Sequence, residues 1–152
     1  RVGPTPAVAP APGPGGRESE PFEALVASGR SPVVLSASAV EGFPPLPTYR
    51  ATVRNLSDRS VLRVIATVVY LDASGAPIPG EERDVALGNP RSPVPPAGTL
   101  ETSFLSRVDR APAVRLVVRT LELGPKEGAG SAAPVEWTNP RREEELATAR
   151  GR

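Results

Sequence analysis

Acidic side chains are the main candidates for chemistry in this chain, because glycoside hydrolysis needs two suitably separated carboxylates. Eight such residues fall in its central part, yet their spacing selects no pair. Most lie in turns or at polar strand positions, where solvation explains them. The eight are Glu41, Asp72, Glu81, Glu82, Asp84, Glu101, Asp109 and Glu122.

The sequence contains no His and no Cys. This absence excludes Cys nucleophiles, Ser-His-Asp triads and His- or Cys-ligated zinc. It also removes the commonest acid–base group at neutral pH. We therefore predict that the chain is not an enzyme and has no catalytic residue, metal ion or cofactor.

Two short motifs have both a functional and a structural interpretation. Asp72, just before Ser74 and Gly75, is a candidate Ca²⁺ ligand, but Ca²⁺ needs several oxygens close together. Asn55-Leu56-Ser57 fits an N-glycosylation sequon. Both Asp and Asn are also ordinary turn residues that hydrogen-bond nearby backbone, and we expect that structural role for both.

Basic residues are the second candidate set, and all but Lys126 are Arg. Five of them alternate with apolar residues, and together they would make an anion, glycan or nucleic-acid surface on one outer sheet face. A net charge of +1 gives no general attraction to nucleic acid, and interleaved aromatics for base stacking are missing. Solvated Arg is the simpler alternative. The five are Arg50, Arg54, Arg63, Arg115 and Arg119.

Strands must position these side chains. Residues 48–55 alternate strictly, which predicts a half-buried strand with Tyr49, Ala51 and Val53 on one face. Residues 60–72 are rich in Val, Ile and Thr and apolar on both faces, which predicts a longer strand. Weaker strand patterns occupy 31–40, 83–88, 98–108, 113–123 and 135–139.

Seven short strands separated by Pro, Gly and Asn turns predict an all-β fold. We expect an immunoglobulin-like antiparallel β-sandwich of about seven strands over residues 31–139, with short terminal helical segments. Its interior should take Tyr49, Val53, Val64, Val68, Phe104 and Leu116.

Three terminal segments flank this domain. Residues 1–21 are rich in Pro, Ala and Gly and predict a disordered N-terminal tether or a terminus without a role. Residues 22–30 predict a short helix capped by Ser19, with Phe22, Leu25 and Val26 on its docking face. Residues 140–152 form a charged tail with one large apolar residue, Leu146, which we expect to fray.

The second apolar face of strand 60–72, formed by Ile65, Val69 and Leu71, must be covered. The simple cover is intramolecular, either the helix at residues 22–30 or a facing loop. The alternative is a partner protein or a second copy of the chain.

Residues 51–75 read "ATVRNLSDRSVLRVIATVVYLDASG", and "PPAGTLETSF" and "VEWTN" follow. Over about residues 33–139 the pattern resembles the bacterial FxLYD-type immunoglobulin-like domains. The resemblance implies a sandwich fold and frequent export or membrane attachment. It implies no catalytic residues.

These observations predict a non-catalytic protein-interaction or spacer module in an exported or membrane-tethered bacterial protein. Because the sequence starts at Arg1, we expect an upstream signal or anchor, through which alone the chain would meet a membrane. The expected partner is another protein or a second copy, not nucleic acid. The predicted surface comprises Ile65, Val69, Leu71, Arg50, Arg54, Arg115, Arg119 and Trp137.

The alternative is a carbohydrate- or anion-binding module that uses the outward Arg residues and Trp137. A glycan platform predicts an exposed Trp137 beside polar groups, whereas a structural role predicts a buried one.

Overall fold

The computed structural model describes residues 19–40, 48–105, 111–125 and 133–151. Within these ranges the chain forms two short helices and seven strands. Most of the predicted N-terminal tether lies outside the described residues. In chain order the elements are α1 (Phe22–Ala27), β1 (Val33–Ala39), β2 (Thr48–Asn55), β3 (Val61–Leu71), β4 (Arg83–Leu87), β5 (Thr99–Leu105), β6 (Ala113–Leu123), β7 (Val135–Thr138) and α2 (Arg142–Ala149).

The strands form two antiparallel sheets, which confirms the predicted all-β architecture. Sheet 1 has the order β1-β2-β5, and sheet 2 has the order β4-β3-β6-β7. The long strands β3 and β6 pair along most of their length at the centre of sheet 2.

The inner faces of the two sheets pack together into the core. From sheet 1, Ala51 and Val53 meet Val64 and Ala66 of sheet 2. Tyr49 stacks on Phe104 with ring centroids 5.4 Å apart. Of the predicted interior, Tyr49, Val53, Val64 and Val68 are fully buried, and Phe104 and Leu116 are partly buried against the same clusters.

Two β-bulges change which residues of the central strands face inward. In β6 the register skips Arg119, so Val118 and Leu121 both point to the core. In β3 it skips Leu62 in the same way, between Val61 and Arg63. With strict alternation, Val118 and Leu121 of β6 would lie on opposite faces of the strand, and so would Val61 and Val64 of β3.

Helix α1 forms where it was predicted, but Ser19 does not cap it. The N-cap residue is Pro21, without a side-chain cap, and the N–H of Phe22 donates to Asp58 Oδ1 at 3.0 Å. Phe22 and Leu25 are buried, whereas Val26 is exposed. The helix therefore docks through two of the three predicted residues.

Helix α2 is the main departure from the sequence-based expectation, because the predicted frayed tail is a packed helix. Leu146 and Ala149 are buried against β3 and β6. The start of the helix lies after Asn139, whose Oδ1 accepts the N–H of Arg141 at 3.0 Å and whose Nδ2 donates to the carbonyl of Val118 at 2.8 Å. Neither α1 nor α2 has the length and apolar content needed to cross a bilayer.

Candidate functional site

The predicted Arg surface does not exist as one surface. Arg50 and Arg54 lie on β2 in sheet 1, whereas Arg115 and Arg119 lie on β6 in sheet 2, as Arg63 does on β3. All point away from the core, and the outer faces of two stacked sheets look in opposite directions. Alternation identified the outward residues correctly, but it carries no information on which sheet a strand joins.

The predicted apolar patch on β3 is covered from within the chain, but not by α1. Val69 and Leu71 are buried together with Val117 under Leu146 and Ala149 of α2. The expectation that residues 22–30 cover this face is therefore wrong. Ile65 lies nearer the start of β3. It is only half-buried and lies beside Glu122 and Glu136 of the neighbouring strands.

Hydrogen bonds and ion pairs hold α2 on sheet 2 around its small apolar contact. Arg150 makes a two-pronged ion pair with Glu82, at 2.6 Å and 2.8 Å. Arg115 donates to the carbonyl of Ala149 at 2.8 Å, near the C-terminal end of the helix, where a positive charge is favourable. Three of the predicted surface residues, Val69, Leu71 and Arg115, therefore serve to dock the helix.

A second polar link joins the start of α2 to the edge of sheet 2. Arg142 donates to Thr67 Oγ1 at 3.0 Å, and Thr67 donates to Asp84 Oδ1 at 2.7 Å. Arg119 pairs with the other oxygen of Asp84. Burial raises the pKa of Asp84, but the bonds from Thr67 and Arg119 outweigh it, and the pKa is lowered overall.

Glu82 has the same ionised, structural role as Asp84. The hydrogen bonds from Arg150 are the main reason why the pKa of Glu82 lies below its ordinary value. Three of the eight candidate acids, Glu81, Glu82 and Asp84, thus have ion-pair partners in the fold. Neither Glu82 nor Asp84 is set up to donate a proton at neutral pH, because general acids need a raised pKa.

Asp72 is an anchor of the turn between β3 and β4. Its Oδ1 accepts the hydroxyl of Ser74 at 2.6 Å and the N–H groups of Ser74 and Ala76 at 2.8 Å and 3.0 Å. These bonds, led by the hydroxyl of Ser74, lower the pKa of Asp72. Within the described ranges no three acidic residues cluster in a way that could hold a metal ion.

Asn55 is buried and joins three segments of the chain. Its Nδ2 donates to the carbonyls of Arg59, Val94 and Pro95 at 2.7 Å, 3.1 Å and 3.0 Å. Its Oδ1 accepts the N–H and hydroxyl of Ser57 at 2.9 Å and 2.8 Å. The folded protein therefore leaves the amide of this sequon inaccessible to a glycan.

Trp137 is 9% exposed and packs in the main core cluster. It offers no free ring face for a sugar to stack on. The carbohydrate-binding hypothesis therefore lacks the platform on which it depended.

Among the described residues no element covers the outer face of sheet 1, which we call the open face. Its outward side chains are mostly Ser, Thr and Arg, and Arg50 and Arg54 have no ion pair among the described residues. At one corner Leu105 is 57% exposed. Sequence reasoning missed β5 as part of a surface, although the alternation of Thr99, Glu101 and Ser103 with apolar residues marks its outward side.

Comparison with known proteins assigns no family: no protein-family model matches the chain, and no curated protein matches it significantly. The function is therefore inferred from the geometry described above.

Proposed function

We propose that this chain is a non-catalytic protein-interaction or spacer module within an exported or membrane-tethered bacterial protein. One observation carries the proposal: α2 covers the apolar strip of Val69, Leu71 and Val117 on sheet 2, whereas no described element covers the outer face of sheet 1. The open face of sheet 1 is the surface that we expect to meet a partner.

We propose further that the sandwich is of the immunoglobulin-like type, in keeping with its resemblance to the FxLYD-type domains. Named A, B, C, C′, E, F and G in chain order, the strands give sheets ABE and C′CFG. These pairings agree with the B–E and C′–C–F–G neighbours of immunoglobulin-like sandwiches. Such domains commonly act by presenting a sheet face, edge or end loops.

Use of the polar groups also supports a non-catalytic role. Asp72, Glu82, Asp84 and Asn55 are each bound to turn or helix-docking groups. Catalytic groups keep at least one atom available to a substrate. In Asn55, Glu82 and Asp84 both polar atoms of the side chain already have protein partners, and Asp72 uses Oδ1 to hold its turn.

The chemistry of the open face predicts the character of a partner. Arg50 and Arg54 are guanidinium groups that favour carboxylates in bidentate geometry. Hydroxyl side chains surround them, including Ser38 and Ser103 on either side of Arg50. We therefore expect a polar partner surface with exposed Asp or Glu.

Site-specific photo-crosslinking tests the proposal. A benzophenone amino acid at Thr52, at the centre of the open face, should give discrete crosslinked protein bands in the cell that makes the chain. The same group at Glu136, an exposed position on β7 in sheet 2, is the matched control and should give none. Equal labelling from both positions, or none from Thr52, would contradict an interaction through sheet 1.

A further inference from the structure

Edge strands are the places where a sheet can pair with another chain, and in the described part of this chain the two sheets end in four of them. Three are short or shielded. β4 has five residues with a charged end, and β7 has four. The free edge of β1 faces a trough that it shares with β6 and α2, and Ser31 bonds both the N–H and the carbonyl of Val33 there.

β5 is the edge strand without such protection. Its seven residues, "TLETSFL", contain no Pro, Gly, Lys or Arg and one charge, Glu101. Pro, Lys and bulges are the usual devices that keep edges from pairing. Among the described residues no strand pairs with its second edge.

The backbone of β5 presents hydrogen-bonding groups along that edge. Asn55 donates its N–H to Gly98 at the start of the β2–β5 ladder, so its neighbours on β2 bond every second residue of β5. Leu100, Thr102 and Phe104 therefore point their N–H and carbonyl groups to β2. The corresponding groups of the other four residues face outward; they are Thr99, Glu101, Ser103 and Leu105.

The order of residues in β5 is self-complementary. In an antiparallel pair centred on Thr102, Leu100 meets Phe104 of the second copy on the inner face, and Thr102 meets its own equivalent. Aliphatic–aromatic and Thr–Thr pairs stabilise antiparallel strands. On the outer face Glu101 meets Ser103, and Leu105 meets Thr99.

The charges select the same register. Arg50 lies directly beside Ser103, so Glu101 of the second copy would lie one strand further along the same row. Arg50 and Glu101 have no ion-pair partner among the described residues, and Arg50 is long enough to reach across the small Ser103. A shift by two residues in one direction puts Glu101 opposite Glu101, which is unfavourable. A shift in the other direction puts Leu105 opposite Glu101, so that Glu101 no longer lies in the row of Arg50.

We propose that the chain forms a dimer in which β5 pairs with β5 of a second copy, making one six-stranded sheet from the two copies of sheet 1. This proposal rests on the proposed function, because it names a second copy as a partner of sheet 1. It uses the unprotected edge of β5 for assembly and leaves the open face of sheet 1 available.

Sedimentation velocity of the full chain over a concentration series tests this pairing. The wild-type chain should shift from one chain mass to twice that mass as concentration rises. Ser103→Pro removes an N–H that faces the free edge and leaves the β2–β5 bonds intact, so it should stay monomeric. Ser103→Thr keeps that N–H and should dimerise. A wild-type chain that is monomeric throughout, or a dimeric Ser103→Pro variant, would overturn the proposal.

A charge exchange gives a readout that misfolding cannot mimic. Glu101→Arg should weaken the dimer by about tenfold or more, because two Arg residues then face each other across the interface. The double variant with Arg50→Glu should recover at least most of that loss. Absence of recovery would rule out the proposed register.

Amide hydrogen exchange provides a test without substitution. The N–H groups of Thr99, Glu101, Ser103 and Leu105 should exchange more slowly at high than at low protein concentration. Equal exchange at both concentrations would contradict the pairing. Loss of the dimer with persistent crosslinks from Thr52 to another protein would leave the proposed function standing, whereas a dimer without such crosslinks would leave only self-association.

Discussion

The outer faces of the two sheets differ in composition and in what lies on them. On sheet 2, Val69, Leu71 and Val117 form an apolar strip that α2 buries. On sheet 1, the equivalent positions carry Ser36, Thr52 and other polar residues, and no described helix packs there. The centre of sheet 2 is thus buried on both sides, whereas sheet 1 is buried on a single side.

The difference shows how the chain separates stability from recognition. Sheet 2 has two apolar faces, which supplies burial that a small domain needs in the absence of disulfides. Sheet 1 adds one apolar face to the core and keeps the other in water. Changes on sheet 2 should therefore alter stability, and changes on sheet 1 should alter association.

The largest expected effect comes from comparing the same Leu→Ala substitution at two places, one on α2, which covers part of sheet 2, and one on the open face of sheet 1. Leu146→Ala removes the main apolar contact of α2 and should lower the free energy of unfolding by about 2 kcal/mol or more. Leu105→Ala, on the open face of sheet 1, should change it by less than about 0.5 kcal/mol. Urea unfolding at a concentration where the chain is monomeric measures both.

Removal of residues 140–152 extends this test. It should expose Val69, Leu71 and Val117 and increase hydrophobic-dye fluorescence. Equal effects of the two Leu substitutions, or a truncated chain that binds no dye, would show that the two outer faces do not differ in the way described.

Much of this contrast follows from sequence, and the rest depends on long-range contacts. Alternation predicted the inward side of β2, and the doubly apolar pattern of β3 predicted that its second face is covered. The identity of the cover was not predictable from residues 140–152 alone, because one Leu is a weak docking signal. It suffices here because the chain returns to an apolar strip and adds the ion pair of Arg150 with Glu82 and the hydrogen bond from Arg142 to Thr67.

The division of the Arg residues between the two sheets could not be predicted, for a related reason. Register and sheet membership decide which outward residues are neighbours, and a bulge such as that at Arg119 cannot be recognised without its partner strand. The local sequence pattern therefore identified the strands and their inward and outward faces. Only the pairing of the strands determined which outward residues share a surface.

A smaller effect is expected in the turns that lead into the two sheets. Ala97 has φ 61° at the third position of a type II turn closed by the bond from Gly98 to Pro95. Ala97→Gly should stabilise the fold by about 0.5–1 kcal/mol, because only glycine accepts that backbone conformation without strain. The reverse change at a glycine with φ 85°, Gly75→Ala, should destabilise it by a similar amount. Thermal unfolding measures both, and changes of the same sign would contradict the interpretation.

The smallest expected effect is the pH dependence of the ion pair between Glu82 and Arg150, which docks α2 on sheet 2. The folded-state pKa of Glu82 is lowered, so its stabilising contribution is present above the unfolded pKa of about 4.3 and is lost as pH falls through the folded pKa. Glu82→Gln should therefore cost about 0.5 kcal/mol at pH 7, since the pair with Arg150 is partly exposed, and progressively less as pH falls below about 4.3. A constant cost of Glu82→Gln in urea unfolding from pH 7 to pH 3 would exclude the ion pair as its cause.

The position of α2 in the chain also has a consequence during synthesis. Leu71 leaves the ribosome well before Leu146, and at about 5–20 residues per second the interval lasts several seconds. Over that time Val69 and Leu71 of β3, joined later by Val117 of β6, form an uncovered hydrophobic segment of a nascent protein. A chaperone that binds emerging chains would find its target there, and release would follow when the trailing helix closes over the strip.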